Sequence, residues 1–433
     1  MKVAVVGAGW GGMAAAVRAA QAGHAVTVLE ASRSLGGRAR GLDAALPDGR
    51  AVRLDNGQHI LIGAYAECLD LIRTVGVDPR GALLRVPLAL RFADGSGLAL
   101  PDAPPPWDAL VGIWRARGWS VGERLALLAH AVRWRLAGFS CAPQTSVADL
   151  CAGLPARLLR EFIDPLCVSA LNTPAQQACG QTFLRVLRDS LFAGQGGSNL
   201  LLPRTDLGAL LPDAAARWLV ARGHAVQPGR RVQALARAPH GSSGWQVDGE
   251  PFDAVLLGTT SSEAARLVAT ADVPAAERPS LLAWADTARA LRFGAIATVY
   301  AHAPAHAPLL AVPMLALRSA PAQFVFDRGR LDGTFGLLAF VVSAFDGERA
   351  GLERAVLAQA ARELSLPGLT VVQTVVERRA TFLCTPGLAR PPLAIARGLL
   401  ACGDYVAGPY PATLEGAALH GASAAVTMNK NGP

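Results

Sequence analysis

Gly7, Gly9 and Gly12, followed by Glu30, are the residues whose types and spacing most directly prescribe chemistry in this chain. Glycines in Gly-x-Gly-x-x-Gly order let the backbone turn tightly out of a strand, admit a pyrophosphate, and open a helix whose N–H groups face the phosphates. A carboxylate about 20 residues further on suits the two hydroxyls of an adenosine ribose and repels a 2′-phosphate. The pattern therefore asks for a dinucleotide with a plain adenosine half. The elements that must position these groups surround them. Lys2-Val3-Ala4-Val5-Val6 reads as a buried parallel strand, Gly12 to Ala22 as a helix stopped by Gly23-His24, and Ala25 to Leu29 as the strand delivering Glu30. Glycines alone are a weak signal; strand, turn, helix, strand and acid in this order are a strong one. Trp10 and the Gly11-Gly12 pair vary the pattern without disturbing the turn.

Two further segments can meet the same ligand. Gly36-Gly37-Arg38 follows the ribose acid directly, and a guanidinium offers phosphate oxygens a planar, permanently charged fork. Arg40 is either a second such group or a solvated surface charge. Near the other end, Leu399 to Cys402 reads as a buried strand ending in Gly403-Asp404, and small residues from Ala417 to Ala425 read as a tightly packed helix. The N-terminus of that helix, around Thr413-Leu414-Glu415, is a second positive dipole end.

This continuation resembles the second phosphate loop of the flavin amine oxidase and phytoene desaturase superfamily. The resemblance implies FAD, with Gly37 and Arg38 at the pyrophosphate and Asp404 at the ribityl chain or a pyrophosphate-bound water. It also implies the Leu414 and Glu415 backbone at the flavin pyrimidine edge and the Val232 backbone at the adenine. Asp55-Asn56-Gly57-Gln58-His59 would pass the isoalloxazine, which makes His59 either a proton donor or electrostatic partner near flavin N5, or a turn-stabilising hydrogen-bond donor. The expected fold class is α/β: a discontinuous Rossmann-like FAD-binding domain of the glutathione reductase type, with an inserted α+β substrate domain. Residues 1–80, 195–265 and 385–433 would form the first, and 81–194 and 266–384 the second, substrate- and membrane-facing domain. Within the middle return, Arg231 to Leu235 and Gly244 to Val247 read as strands around a Gly-Ser turn, and Ala254 to Gly258 as a strand rejoining the main sheet. Phe335 to Val341 reads as a strand of the substrate domain.

Pro165 to Pro174, containing Ala170-Leu171-Asn172-Thr173-Pro174, and Leu187-Arg188-Asp189-Ser190-Leu191 narrow the resemblance. With Leu201-Leu202-Pro203-Arg204 and Pro411 to Gly416, they look like the bacterial hydroxysqualene dehydroxylases of hopanoid biosynthesis, from the first strand to the last helix. That resemblance implies reductive removal of an allylic hydroxyl by reduced FAD, giving squalene, inside a dry apolar pocket. His59, Asn172 and Asp189 are the candidates to protonate or orient the oxygen. Asn172 can only position it, and Asp189 beside Arg188 is alternatively a plain ion pair. Carotenoid desaturases or isomerases remain the alternative. An amine oxidase fits less well, because many carry a lysine near flavin N5 and this chain has none between Lys2 and Lys430. A non-catalytic FAD-binding scaffold would need a reason to keep a complete site.

The chain of 433 residues suffices for two interleaved domains. Seven cysteines without a CxxC or metal-ligand spacing suit a reduced cytoplasmic compartment, and the first apolar run is already the nucleotide strand, so no signal peptide is expected. The net charge of +8 is carried almost wholly by arginine. Between Pro104 and Phe139, Trp107, Trp114, Trp119 and Trp134 interleave with Arg115, Arg117, Arg124, Arg133 and Arg135. This mixture suits peripheral binding to the inner face of the cytoplasmic membrane, or a helical cap with core tryptophans. The stretch is too apolar for nucleic acid. The sequence holds one nucleotide fold and leaves the electron donor unidentified.

Overall fold

The computed structural model of the chain describes residues 1–191, 194–238 and 244–430. Its main sheet is assembled from distant segments. In spatial order its strands are Ala225–Pro228, Ala25–Glu30, Lys2–Val6, Ala254–Leu257 and Leu399–Ala401, all parallel, with Ala394–Ala396 antiparallel at one edge. Val3 to Val6 and Ala254 to Leu257 are buried on both faces, which is why they read as unbroken apolar runs rather than alternating ones. The first helix, Trp10–Gln21, and the last, Leu414–Lys430, pack against each other on this sheet. Glycine allows the close approach: a Cβ on Gly421 would lie 2.3 Å from the Gly11 carbonyl oxygen. The result is a discontinuous Rossmann-like domain.

The inserted part is α+β. Five antiparallel strands run in the order Met314–Ala316, Phe324–Asp327, Leu337–Phe345, Phe293–His302 and Thr370–Phe382. Alternation sorts their side chains: Val299 and Ala301 join the core under the Arg349–Leu364 helix, whereas Tyr300 faces the opposite way. Helices Trp107–Arg115, Val121–Leu136, Asp164–Leu171 and Gly180–Leu191 build the other half. A small sheet, in which Leu61–Ile62 and Leu83–Val86 both pair with Leu200–Pro203, links the two parts.

Several sequence expectations shift at their edges. The first helix begins at Trp10, with Gly9 at its N-cap, rather than at Gly12. Arg231 to Ala234 form no strand, because the Gln233 and Ala234 N–H groups donate to the Asp248 carboxylate; pairing with Trp245–Val247 starts only at Leu235. The expected Gly-Ser turn falls on 241–243, outside the described residues. The strand expected from Phe335 begins at Leu337, since Gly336 takes a left-handed φ of 83°. The four tryptophans of the arginine-rich segment divide: Trp119 and Trp134 are core, Trp107 and Trp114 are exposed. No helix among the described residues is long and apolar enough to cross a membrane.

Candidate functional site

The glycine turn is built so that side chains are sterically barred from it. Gly7 has φ 101°, and a Cβ there would lie 2.7 Å from the Gly258 oxygen; one on Gly12 would lie 1.9 Å from the Gly7 oxygen. Gly258 ends the Ala254–Leu257 strand, so the neighbouring strand also closes on the turn. Glu30 completes it. Its carboxylate accepts from the Ala8 N–H at 2.7 Å and from the Ser32 N–H at 2.7 Å, which fixes the acid beside the glycine loop. The Gly229 and Arg230 N–H groups bond to the Ser32 and Glu30 carbonyls, bringing the segment that carries Val232 to the same strand end. The Val232 carbonyl itself accepts from Arg266 at 3.1 Å.

The second loop lies against the first. The Gly36 N–H bonds to the Ala8 carbonyl, a Cβ on Gly37 would sit 3.5 Å from Gly9 Cα, and the buried Trp10 indole donates to the Ala39 carbonyl at 3.2 Å. The Trp10 side chain therefore ties the two phosphate-type loops together, leaving its backbone at the helix N-terminus as the part able to face a ligand. Arg38 reaches Asp404 as a two-pronged pair, Nη1 to Oδ2 at 3.1 Å and Nη2 to Oδ1 closer still, and also donates to the Ala380 carbonyl at 2.8 Å. Burial opposes the Arg38 charge, but the Asp404 carboxylate more than offsets this and holds the guanidinium above its ordinary pKa. Arg40 donates to the Gly37 carbonyl at 3.0 Å, so it braces the loop.

Asp55 to His59 fold back on this second loop. Asn56 bridges it, accepting from the Arg40 N–H and donating to the Arg38 carbonyl. The half-buried His59 donates from Nδ1 to the Gly57 carbonyl at 2.6 Å, leaving Nε2 as an acceptor in the neutral ring. Burial lowers the His59 pKa, the Gly57 bond partly opposes this, and the nearby Arg38 charge lowers it further. Gln58, which sequence reasoning passed over, is 8% exposed, and neither its amide oxygen nor its nitrogen has a partner in the protein. A buried amide left bare at both ends is costly unless a ligand satisfies it.

Asp404 and the last helix close the site. Thr413 caps that helix, its Oγ1 accepting from the Gly416 N–H at 2.9 Å. The Glu415 carboxylate faces away: it accepts from the Glu67 and Cys68 N–H groups at 2.9 and 3.0 Å, at the start of the Ala66–Thr74 helix. Only its backbone and that of Leu414 remain for a cofactor. The intervening turn is held by Arg390, which donates to the Val406 and Gly408 carbonyls; no sequence motif singled it out.

The remaining candidates part company. Asp189 pairs with Arg188 at 2.6 Å, yet its Oδ2 is buried and has no hydrogen-bond partner. Burial raises the pKa of Tyr410, in the turn between Asp404 and the last helix, and the Asp189 carboxylate raises it further. Asn172 is elsewhere engaged. It ends the Asp164–Leu171 helix in the left-handed region at φ 44°, accepts from the Ala344 N–H at 2.6 Å and donates to Thr381 Oγ1 at 3.0 Å. Thr173 extends this clamp by accepting from the Cys384 N–H at 3.1 Å. The Ala-Leu-Asn-Thr-Pro block thus fastens a helix end to the antiparallel sheet.

Over residues 10–429 the chain matches the sequence profile of the flavin containing amine oxidoreductases. The chain belongs to that family. Along 98% of its length it is 31% identical to a hydroxysqualene dehydroxylase of Rhodopseudomonas palustris, covering 97% of that protein, so it sits on the hydroxysqualene dehydroxylase branch. A zeta-carotene desaturase of Synechocystis is 38% identical, but over only 18% of this chain and 15% of that protein. Among solved structures, an oxidoreductase from Methanosarcina mazei superposes with a TM-score of 0.72 at 19% identity, covering 98% of this chain and 99% of that one. The protein is an FAD-dependent oxidoreductase. The residues present fit the cofactor: backbone bars a Cβ at Gly7 and Gly12, one on Gly9 would come no closer than 3.9 Å to the Gly258 oxygen, and the bare Gln58 amide lies in the segment folded over Arg38.

Proposed function

We propose that the protein reductively removes the allylic hydroxyl of hydroxysqualene, giving squalene and water. The observation that carries this reading is the end-to-end match to a hydroxysqualene dehydroxylase, set against a desaturase match confined to a fraction of the chain. FAD, when bound and reduced, supplies the hydride that takes the place of the hydroxyl. The chain's residues supply the rest. Gly7, Gly9, Gly12, Gly37 and Arg38 hold the pyrophosphate, Glu30 the ribose and the Val232 backbone the adenine. Asp404 keeps Arg38 in place, and the N–H groups of Leu414 and Glu415 favour negative charge at the end of the last helix.

Hydroxide is a poor leaving group, so an acid must protonate it as the C–O bond breaks. His59 and Asp189 are the two titratable candidates at the site; Asn172 acts by fixing the wall to which its helix is fastened. An allylic cation must be kept from water, which calls for a dry apolar pocket around the substrate. A substrate of this chemistry resides in the bilayer, so the enzyme works peripherally at the inner face of the cytoplasmic membrane, drawing electrons from a separate donor.

The deciding experiment incubates purified protein, with its FAD chemically reduced, with hydroxysqualene and identifies the products. Squalene formed in proportion to reduced flavin supports the reading. Turnover of a carotenoid or an amine with no squalene overturns it.

A further inference from the structure

Helices Trp107–Arg115 and Val121–Leu136 are amphipathic in an inverted sense. Their inner faces are ordinary core, with Ile113, Leu127 and Trp134 buried, and Trp119 in the connection between them meets Phe162 edge-on at 6.0 Å. Their outer faces are also apolar. Trp107, Leu110 and Trp114 recur at helical spacing and are 62%, 38% and 53% exposed. Leu125, Val132 and Leu136 do the same on the second helix, Leu136 reaching 84%. Of the eleven large hydrophobic side chains exposed among the described residues, seven lie on these two helices. The first row, with Val111 and with Leu128 of the second helix, lines an open apolar groove of about 410 Å³ edged by Arg115. Scattered apolar side chains need no explanation, but a contiguous patch of this kind marks an interaction surface.

Charge selects the occupant. The segment from Pro104 to Phe139 carries five arginines against two acids, Asp108 and Glu123. Asp108 is buried, and Glu123 is held by the Ser120 N–H at 2.7 Å in a capping box. Arg115, Arg117 and Arg133 remain exposed around the apolar rows. Tryptophan and leucine bordered by arginine match a headgroup layer that is anionic outside and greasy beneath. The helices have 9 and 16 residues, too short to cross a bilayer, so contact with one would be along its surface.

We infer that the outer face of these two helices is a lipid-docking surface that inserts Trp107, Leu110, Trp114 and Leu136 into an anionic bilayer. This rests on the proposed function only in giving that bilayer a reason, as the reservoir of the substrate. Docking itself is tested without turnover. The holoenzyme is floated with vesicles of phosphatidylcholine alone and of phosphatidylcholine with phosphatidylglycerol, alongside a Trp107→Ser/Trp114→Ser variant and an Arg115→Ala/Arg133→Ala variant. All substituted side chains are solvent-facing, and retained flavin absorbance confirms the fold. The wild type is expected to float with the anionic vesicles, the tryptophan variant to bind at least about tenfold more weakly, and the arginine variant to lose its preference for phosphatidylglycerol. Equal flotation of wild type and tryptophan variant overturns the inference. So does a wild-type dimer that the tryptophan variant breaks, because a second copy would then cover this face. Protein that floats as expected yet makes no squalene overturns the substrate and leaves the docking surface standing.

Discussion

Arg38 and Asp404, 366 residues apart in sequence, form a two-pronged ion pair between the second glycine loop and the turn that follows the Leu399–Ala401 strand. The Asp404 side chain is 7% exposed and that of Arg38 30%, so the pair is shielded on the acid side and reachable on the basic side. A guanidinium anchored this way is ordered in advance, so in the proposed role of Arg38 its remaining edge would meet a pyrophosphate without a further ordering cost.

Removing the acid's charge should therefore weaken both fold and cofactor binding. Asp404→Asn is expected to lower stability by about 2–4 kcal/mol, since it strands a largely desolvated cation. Flavin retained per chain should fall in parallel. Denaturant unfolding and the flavin absorbance ratio measure the two effects. Pairing Asp404→Asn with Arg38→Gln should recover part of the loss, and strictly additive losses would show that the two residues act separately.

The Asn172 clamp leads to a prediction of the opposite kind. Asn172→Ala leaves the Ala344 N–H and Thr381 hydroxyl without partners and puts a less tolerant residue at φ 44°. A stability loss of about 2–4 kcal/mol follows, with kcat per bound flavin nearly unchanged. A kcat collapse at unaltered thermal stability would instead put the amide on the substrate.

How much of this was legible in the sequence depended on how local each signal was. The strand, glycine turn, helix and second strand from Lys2 to Glu30 could be read, with only the helix start displaced from Gly12 to Trp10, because these signals are all encoded within one βαβ unit. The place of Asp404 just after the last strand was legible, but not its pairing with Arg38, since nothing in either neighbourhood encodes a contact across 366 positions. Glu415 was located correctly while its carboxylate turned to cap another helix, because sequence gives a residue's place and not its side chain's direction. Asn172 was singled out for its motif, but not the bonds of its amide to Thr381 and the Ala344 N–H, whose partners lie far off in sequence. Gln58 carried no signal beyond lying beside His59; only the bare, buried amide reveals it. The mixed tryptophans of the two exposed helices needed burial to sort them, because both faces are apolar.

His59 predicts a pH dependence with a definite sign. Burial and the Arg38 charge keep its pKa below 6.5, against the Gly57 bond, so the ring is neutral at neutral pH. If its imidazolium protonates the leaving hydroxyl, kcat/KM must rise as pH falls through that lowered value and level off below it. His59→Gln should lose that acid limb and keep the flavin. A profile unchanged by the substitution would confine His59 to bracing the Gly57 turn and pass the proton to Asp189.

Asp55 sits at the head of the same segment and predicts a stability profile. Its carboxylate accepts from the Leu207 N–H at 2.7 Å, and its backbone is bonded to the buried Tyr300 hydroxyl. Burial pushes its pKa from 3.8 up to about 7, against the lowering effects of the Leu207 bond and Arg328. Because the folded state holds this proton more tightly than the unfolded chain, the group's stabilising contribution is complete below the unfolded value. It is lost as pH rises through the folded one. Between those values the loss approaches about 1.4 kcal/mol per pH unit. Asp55→Asn keeps an acceptor for Leu207 and cannot titrate, so its unfolding free energy should be flatter over this interval while other groups titrate as before. Subtracting the two profiles isolates Asp55, and parallel profiles from about pH 4 to 7 would mean that Arg328 keeps the carboxylate ionised throughout. A falling wild-type profile beside a flatter variant would instead mean that the strand leading into Gln58 and His59 is anchored by a protonated acid.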